Sequence, residues 1–161
     1  MAERPAVNTS PLLFLSRAGL LELLQVAGPR LVVPSAVFNK ITAGRPGDPT
    51  ARAIAEADWL AIVETPPAPE PIQAWDLGRG ESSVLTWGYA HPGTEIIVDD
   101  LAARRCAAAL GIPVRGTLGL VLVAKKRAII PRARPIIDRL RQSGMYLSDR
   151  LVEESLRHVD E

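Results

Sequence analysis

The stretch Thr94-Glu95-Ile96-Ile97-Val98-Asp99-Asp100 decides the fold class. It joins a short apolar run, rich in β-branched residues and preceded by Gly93, to two adjacent acids, and a helix-forming segment follows from Leu101 to Leu110. A short run of this kind is typical of a strand that is buried on both faces of a sheet. We therefore predict a strand over residues 94–98 that ends at the pair Asp99-Asp100.

The same alternation of strand and helix extends along the chain on both sides of this stretch. We predict four further strands, at Ala6-Val7, Arg30–Val33, Trp59–Glu64 and Ile112–Val114. We predict helices over Leu12–Ala18, Leu20–Val26, Ser35–Ile41, Thr50–Asp58 and Glu81–Ala90, and three more after Leu118, the last of which begins at Ser148. Such alternation predicts an α/β fold with a parallel sheet covered on both faces.

One domain spanning residues 1–161 is the predicted organisation. The proline-rich segment Thr65–Pro71 interrupts the pattern, but the composition is similar on both sides of it. We therefore interpret it as a stiff connector within one domain. A chain of 161 residues can bury a core without disulfides or structural metal.

Composition excludes several classes of protein. Hydrophobic residues make up 47% of the chain, which disfavours disorder, and the net charge of +1 neither requires nor excludes a nucleic-acid partner. The single cysteine, Cys106, cannot form an internal disulfide, so we expect a reducing, cytoplasmic location. Residues 1–5 are too polar for a secretory leader, and charged residues interrupt the apolar segment Pro11–Val33, so no membrane span is predicted.

Candidate functional residues follow from the ends of the predicted strands. In an open parallel sheet, ligands bind beyond the carboxyl ends of the strands. That rule selects Asn8, with Thr9 and Ser10 after it, the pair Asp99-Asp100, and Thr117 after the fifth strand. Glu81, at the start of a helix, can approach the same edge.

The Asp99-Asp100 pair has two interpretations. Adjacent carboxylates repel each other, and a divalent metal ion removes that repulsion. Mg²⁺ prefers oxygen ligands and keeps several waters, so a few carboxylates suffice to bind it. Alternatively, either aspartate caps the helix that begins at Leu101.

A basic segment near the carboxyl terminus also has two interpretations. Between Lys125 and Arg141 there are seven basic residues and one acid, Asp138. The segment can bind phosphates irrespective of sequence, with Lys125 and Lys126 as candidate contacts. It can equally be the solvated face of a helix.

Several segments together resemble the PIN superfamily, and closely a prokaryotic branch related to the VapC-like toxins. The segments that carry the resemblance are Asn8–Leu12, Gly78–Glu81, Ile97–Asp100 with Ala103-Arg104, Gly111–Val114, Gly116–Gly119, Ala124–Lys126 and Ile130-Pro131. The resemblance reaches Leu147–Asp149 and covers nearly the whole chain. It implies a three-layer α/β/α sandwich with a five-stranded parallel sheet.

The resemblance also implies a ribonuclease that depends on Mg²⁺ or Mn²⁺. Glu81, Asp99 and Asp100 match acidic positions of the family, and Asn8 falls where most PIN nucleases carry their first aspartate. These four residues are the candidate catalytic and metal-binding residues. Thr9, Ser10, Thr117, Lys125 and Lys126 are the candidate contacts to RNA.

Two departures from the family pattern leave the function open. Asn8 is uncharged, and a glutamate that the family usually carries near Asn39 or Lys40 is missing. The first hypothesis is an endoribonuclease, as the toxin of a toxin–antitoxin pair, with an antitoxin protein and a second copy of the chain as partners. The alternative is a PIN scaffold with weakened catalysis that binds RNA or a protein. A nucleotide-binding domain is disfavoured, because no glycine-rich phosphate loop follows the first strand.

Overall fold

A computed structural model describes residues 4–161 and contains a five-stranded sheet. The strands are β1 (Ala6–Val7), β2 (Leu31–Pro34), β3 (Leu60–Val63), β4 (Ile96–Ile97) and β5 (Val114–Arg115). Their order in the sheet is β3-β2-β1-β4-β5, and every neighbouring pair is parallel. The predicted parallel five-stranded sheet is therefore confirmed.

Helices connect the strands and follow the last one. They are α1 (Thr9–Arg17), a 3-10 helix (Leu21–Val26), α2 (Ser35–Thr42), α3 (Thr50–Glu56), α4 (Glu70–Gln73), α5 (Arg79–Ala90), α6 (Leu101–Ala109), α7 (Thr117–Lys126), α8 (Arg134–Gln142) and α9 (Asp149–Arg157). Within residues 4–161, none of these helices combines the length and apolar character needed to cross a membrane. As predicted, the last helix is capped by Ser148, whose hydroxyl accepts a hydrogen bond from the Leu151 amide at 3.1 Å.

The sheet has a switch point between β1 and β4. From β1 the chain moves outward to β2 and β3, and it then returns to the other side of β1 to form β4 and β5. Because parallel crossovers are right-handed, this reversal places the helices of the two halves on opposite faces of the sheet. The result is a three-layer α/β/α sandwich, in which crevices at such switch points are the usual ligand sites.

Helix α5 lies unusually close to the sheet. Gly80, Val84 and Gly88 recur every four residues, so they share one buried face of the helix. A Cβ atom on Gly88 would lie 2.7 Å from a methyl carbon of Ile112 and 2.9 Å from one of Ile96. Glycine at this position is therefore required by the short distance between helix and sheet.

The carboxyl-terminal helices are tied to the amino-terminal part of the chain by basic side chains. Arg127 donates a hydrogen bond to the carbonyl of Val26, and Arg139 donates one to the carbonyl of Ala18. Glu161 accepts hydrogen bonds from the backbone amides that begin α8, at 2.6 and 3.1 Å. Much of the basic segment between Lys125 and Arg141 thus contributes to packing of the tail.

The loop before α3 is fixed by a buried acid. The Asp48 carboxylate accepts hydrogen bonds from the amide and hydroxyl of Thr50 and forms an ion pair with Arg17 at 2.6 Å. The bonds from Thr50, and then that from Arg17, lower the pKa of Asp48 from 3.8 to about 2. This carboxylate is therefore ionised at neutral pH and joins the loop to α1.

The close contact of α5 predicts the effect of a methyl group at Gly88. Gly88→Ala should lower the free energy of unfolding by up to about 2 kcal/mol, because overpacking outweighs the better helix propensity of alanine. Gly119→Ala in α7 is the matched control: its Cβ would lie 2.9 Å from Cγ of Arg115, whose partly exposed side chain can move, whereas Ile96 and Ile112 are buried. Urea denaturation of both variants measures the effect. Stabilisation of both to the same degree would contradict the close packing of α5.

Candidate functional site

A polar edge forms at the switch point, where β1 and β4 end side by side. The Asn8 amide donates to the carbonyl of Ile97 at 2.9 Å, which continues the register of β1 with β4 by one residue. Asp99 and Asp100 directly follow Val98, which comes after the last residue of β4, and Thr117 begins the helix after β5. The fold therefore brings the ends of β1, β4 and β5 to one edge, as the sequence predicted.

Asn8 is buried at this edge with an unsatisfied oxygen. Its exposed fraction is 2%, and its Oδ1 atom has no hydrogen-bond partner among the described residues. The hydroxyl of the neighbouring Thr9, which is also buried, lacks a partner there as well. Leaving a buried polar group unpaired costs about 1–3 kcal/mol, so such groups call for a water, an ion or a ligand.

The first turn of α5 packs directly against these two oxygens. A Cβ atom on Gly80 would lie 3.2 Å from Asn8 Oδ1 and 3.6 Å from Thr9 Oγ1. Glu81, next along the helix, is half-buried, and its carboxylate bends back towards Gly78, where a Cβ atom would lie 2.8 Å from Oε2. An acid in this first turn is stabilised by the positive end of the helix dipole.

Asp99 connects the end of β4 to the start of α7. One carboxylate oxygen accepts the amide of Thr117 and the other accepts its hydroxyl, both at 2.7 Å. Asp99 is half-buried and Thr117 fully buried, so these charge-assisted bonds are shielded from water. Asp99 thus satisfies one of the free amides at the beginning of α7.

Asp100 caps the helix that follows it. Its Oδ2 atom accepts the Ala103 amide at 2.9 Å, and the side chain is exposed. The capping interpretation of the aspartate pair is therefore correct for Asp100, and Asp99 does the equivalent for α7. An ionised carboxylate has about four acceptor positions, so neither bond pattern uses up its capacity to bind a metal.

The residues at this edge fit a hydrated divalent ion better than one enclosed by many acids. Among residues 4–161, no group of three or more His, Cys, Asp or Glu side chains is close enough to share an ion. The edge does provide the side-chain amide oxygen of Asn8 together with carboxylates, and oxygen atoms of these kinds are the ligands that Mg²⁺ prefers. Mg²⁺ keeps waters at its remaining coordination positions. The donor set therefore fits Mg²⁺ or Mn²⁺ held by one or two carboxylates.

Asn39 and Lys40 line a cavity that adjoins the candidate site through Gly80. Together with Ser35, Arg79 and Gly80 they surround this cavity of about 580 Å³ next to the amino-terminal end of α5. Among the described residues, neither Lys40 nor Arg79 forms an ion pair or side-chain hydrogen bond. Lys40 thus lies near the position where the family usually has an acid, and Arg79 adds a second unneutralised cation to the same cavity.

The other residues predicted to contact RNA are placed unevenly. Thr9 lies at the edge with its unpaired hydroxyl, and Ser10 is half-buried in the first turn of α1. Lys125 and Lys126 lie at the opposite end of α7 from Thr117, about 12 Å or more away along the helix. The Lys125 ammonium donates to the carbonyl of Pro131 at 2.9 Å, so this lysine stabilises the tail.

Arg79 and Arg104 are the functional candidates that strand-end reasoning missed. Both lie in the first turns of helices that begin near the edge. Arg79 is two residues before Glu81 in α5, and Arg104 is four residues after Asp100 in α6. Arg104 was visible in the sequence only as part of the Ala103-Arg104 motif. The signal that could have found Arg104 is a basic residue in the first turn of a helix at a strand end, and for Arg79 it is the position two residues before Glu81.

The bond between Thr117 and Asp99 predicts a cost for removing the threonine hydroxyl. Thr117→Val keeps the shape of the buried side chain but removes a hydrogen bond to a carboxylate, so the free energy of unfolding should fall by about 1.5–3 kcal/mol. Thr42→Val is the control, because the exposed Thr42 hydroxyl donates only to the carbonyl of Asn39. Thermal denaturation compares them. Equal, small effects would show that Asp99 does not depend on Thr117.

Comparison with known families agrees with this geometry. The family model described as a PIN domain matches residues 5–161, while the comparison with curated proteins gives no match. PIN domains are in general nucleases that use divalent metals. The match spans nearly the whole chain, and the parallel sheet with its polar switch-point edge is the arrangement that it implies, so this chain belongs to the PIN-domain superfamily.

Proposed function

We propose that the protein is a metal-dependent endoribonuclease that hydrolyses RNA phosphodiester bonds at the edge between β1 and β4. The observation that carries this proposal is the buried Oδ1 atom of Asn8, which has no partner among the described residues. The fold maintains this oxygen at a cost in free energy, and a hydrated cation or its water would supply the missing interaction.

Each residue of the edge has a defined part in the proposal. Asp99 and Asp100 supply carboxylates for Mg²⁺ or Mn²⁺, and Glu81 orients a water bound to the ion. Asn8 supplies a neutral oxygen that binds the ion or orients another of its waters. Thr117 holds the Asp99 carboxylate in one orientation through two hydrogen bonds. The bound ion would supply Lewis-acid activation of water and charge neutralisation at the phosphodiester.

Basic side chains, rather than further metal ions, position the substrate. Lys40 and Arg79 line the cavity beside Asn8 and lack acidic partners among the described residues, so they are suited to bind the phosphates that flank the scissile bond. The choice of RNA rests on the resemblance to the VapC-like branch. The same resemblance supports a cytoplasmic toxin that pairs with an antitoxin protein and forms a homodimer.

The nuclease proposal predicts that RNA cleavage depends on the negative charge of Asp100 and not on the hydrogen bond by which it caps α6. Asp100→Asn keeps an oxygen that can accept the Ala103 amide but removes the charge, so RNA cleavage should fall by about 100-fold with little loss of stability. Asp149→Asn, at the exposed start of α9, is the control. Cleavage of a labelled RNA by the full chain in Mg²⁺, Mn²⁺ and EDTA measures this. Absence of cleavage by the unaltered chain in both metals rejects the proposal.

A second function is favoured by three features of the same edge. No group of three acids forms among the described residues, Lys40 faces the cavity, and both aspartates already serve as helix caps. A PIN scaffold that binds RNA or a protein without turnover would have these properties. The two functions differ in whether the edge binds a divalent ion.

Metal-dependent stabilisation separates these functions. If the edge binds Mn²⁺, a free Mn²⁺ concentration 100 times the dissociation constant should raise the free energy of unfolding by about 2.7 kcal/mol and raise the melting temperature. Asn8→Asp serves as a comparison: it should destabilise the metal-free protein by burying a charge and gain more from Mn²⁺ than the unaltered chain does. Calorimetry in Mn²⁺ and in EDTA at equal ionic strength provides the measurement. No shift for the unaltered chain favours the scaffold.

A further inference from the structure

A second groove lies beside Asp99, on the side of the edge away from Lys40. It has a volume of about 620 Å³ and runs between α6, α7 and the segment before α9. Three of the seven large hydrophobic side chains that are exposed in residues 4–161 line this groove: Leu101, Tyr146 and Leu151. A concentration of exposed apolar surface of this kind marks an interaction site.

Tyr146 is the most exposed of these side chains. Its exposed fraction is 88%, against 59% for Leu101 across the groove. The inner wall is formed by Val114, Leu118 and Leu122, which are half-buried. An aromatic ring that projects beside an apolar wall offers a flat surface for stacking.

One charged group of the groove has no protein partner. Arg104 is half-buried, and its guanidinium lies over Gly116, where a Cβ atom would collide with it. Within the described part of the chain it makes no hydrogen bond or ion pair, whereas the neighbouring Arg115 is paired with Glu95 at 3.0 Å. The Asp99 carboxylate also faces Gly116, but its two hydrogen bonds are to Thr117 and it forms no ion pair with Arg104. Arg104 is therefore left to bind an anion from outside the protein.

We propose that this groove binds one unpaired nucleotide of single-stranded RNA next to the scissile bond. The guanidinium of Arg104 binds its phosphate, and its base stacks on Tyr146 against Leu101. An exposed aromatic ring combined with an unpaired guanidinium is the combination by which proteins bind single strands, since every base has a face that can stack. This inference rests on the proposed function, because Asp99 belongs to both sites.

The geometry favours a nucleotide over the other occupants. Asp99 belongs to the polar edge and also lines the groove, so a strand bound at the edge lies next to the groove. The unpaired cation complements a phosphate. In a duplex the faces of the bases are already stacked, so a duplex cannot use Tyr146.

Binding without cleavage tests the inference. A short fluorescein-labelled single-stranded oligoribonucleotide, an abasic strand of the same length and charge, and a duplex are titrated with the full chain in EDTA, where a metal-dependent nuclease is inactive. Fluorescence anisotropy measures each affinity. The base-bearing single strand should bind more tightly than the abasic strand and the duplex.

Two substitutions assign the base and the phosphate contacts. Tyr146→Ala should lower the affinity for the base-bearing strand by about 5- to 100-fold and leave the abasic strand unchanged. Arg104→Gln should weaken both strands and reduce the salt dependence of binding by about 0.7 in slope. The controls are Tyr89→Ala, an exposed tyrosine near the end of α5, and Arg105→Gln, the exposed neighbour of Arg104 that does not line the groove.

Several results overturn the inference. No binding of the single strand by the unaltered chain does so, as does equal binding of the base-bearing strand by the unaltered and Tyr146→Ala proteins. Sedimentation of the unaltered chain as a dimer that Tyr146→Ala dissociates would instead identify the groove as an interface between copies. Failure of the nuclease proposal looks different: binding then depends on Tyr146 and on the base, while no RNA is cleaved in Mg²⁺ or Mn²⁺.

Discussion

The close contact between α5 and the sheet is the constraint on which the rest of the structure depends. Gly88 brings one end of the helix against Ile96 and Ile112, and Gly80 brings the other end against Asn8 and Thr9. Larger residues at these positions would lift the helix and expose Asn8 to solvent. The burial of the unsatisfied oxygen and the position of Arg79 at the edge therefore have one cause, which is the absence of two side chains.

The two aspartates after β4 combine two demands that usually conflict. Acids held close together for chemistry destabilise a fold through repulsion and desolvation. Here each carboxylate also satisfies backbone amides at the start of a helix, Asp99 for α7 and Asp100 for α6. Their charge is thus partly compensated by hydrogen bonds even without a cation, and stability and site geometry rest on the same residues.

The parts of the structure that depend on local pattern were predictable from the sequence. The strand after Gly93, the parallel sheet and the Ser148 cap follow from β-branched runs, turn residues and capping residues, and the structure confirms them. Helix α4 was not predicted, because prolines around it indicated a stiff connector. Proline is tolerated in a first helical turn, and the structure places Pro71 there.

Features set by tertiary contacts could not be predicted. The direction of Lys40 depends on the rotation of α2, which one residue of uncertainty in a helix start changes by about 100°. Asp99 contacts Thr117, which lies eighteen positions later in the chain, and no local pattern encodes that bond. Basic residues of the segment after Lys125 hold the tail against the rest of the fold as well as keeping it solvated. This role is visible only in the hydrogen bonds that Arg127 and Arg139 make.

The position of β1 in the sheet also sets the order in which the polar edge can form. β1 is synthesised about ninety residues before β4, yet it lies in the middle of the sheet and pairs with that strand. Contacts so distant in sequence are slow to form, because the intervening chain must be ordered first. Asn8 and Asp99 therefore meet only after β4 has left the ribosome, so a nascent or truncated chain that lacks β4 has no polar edge.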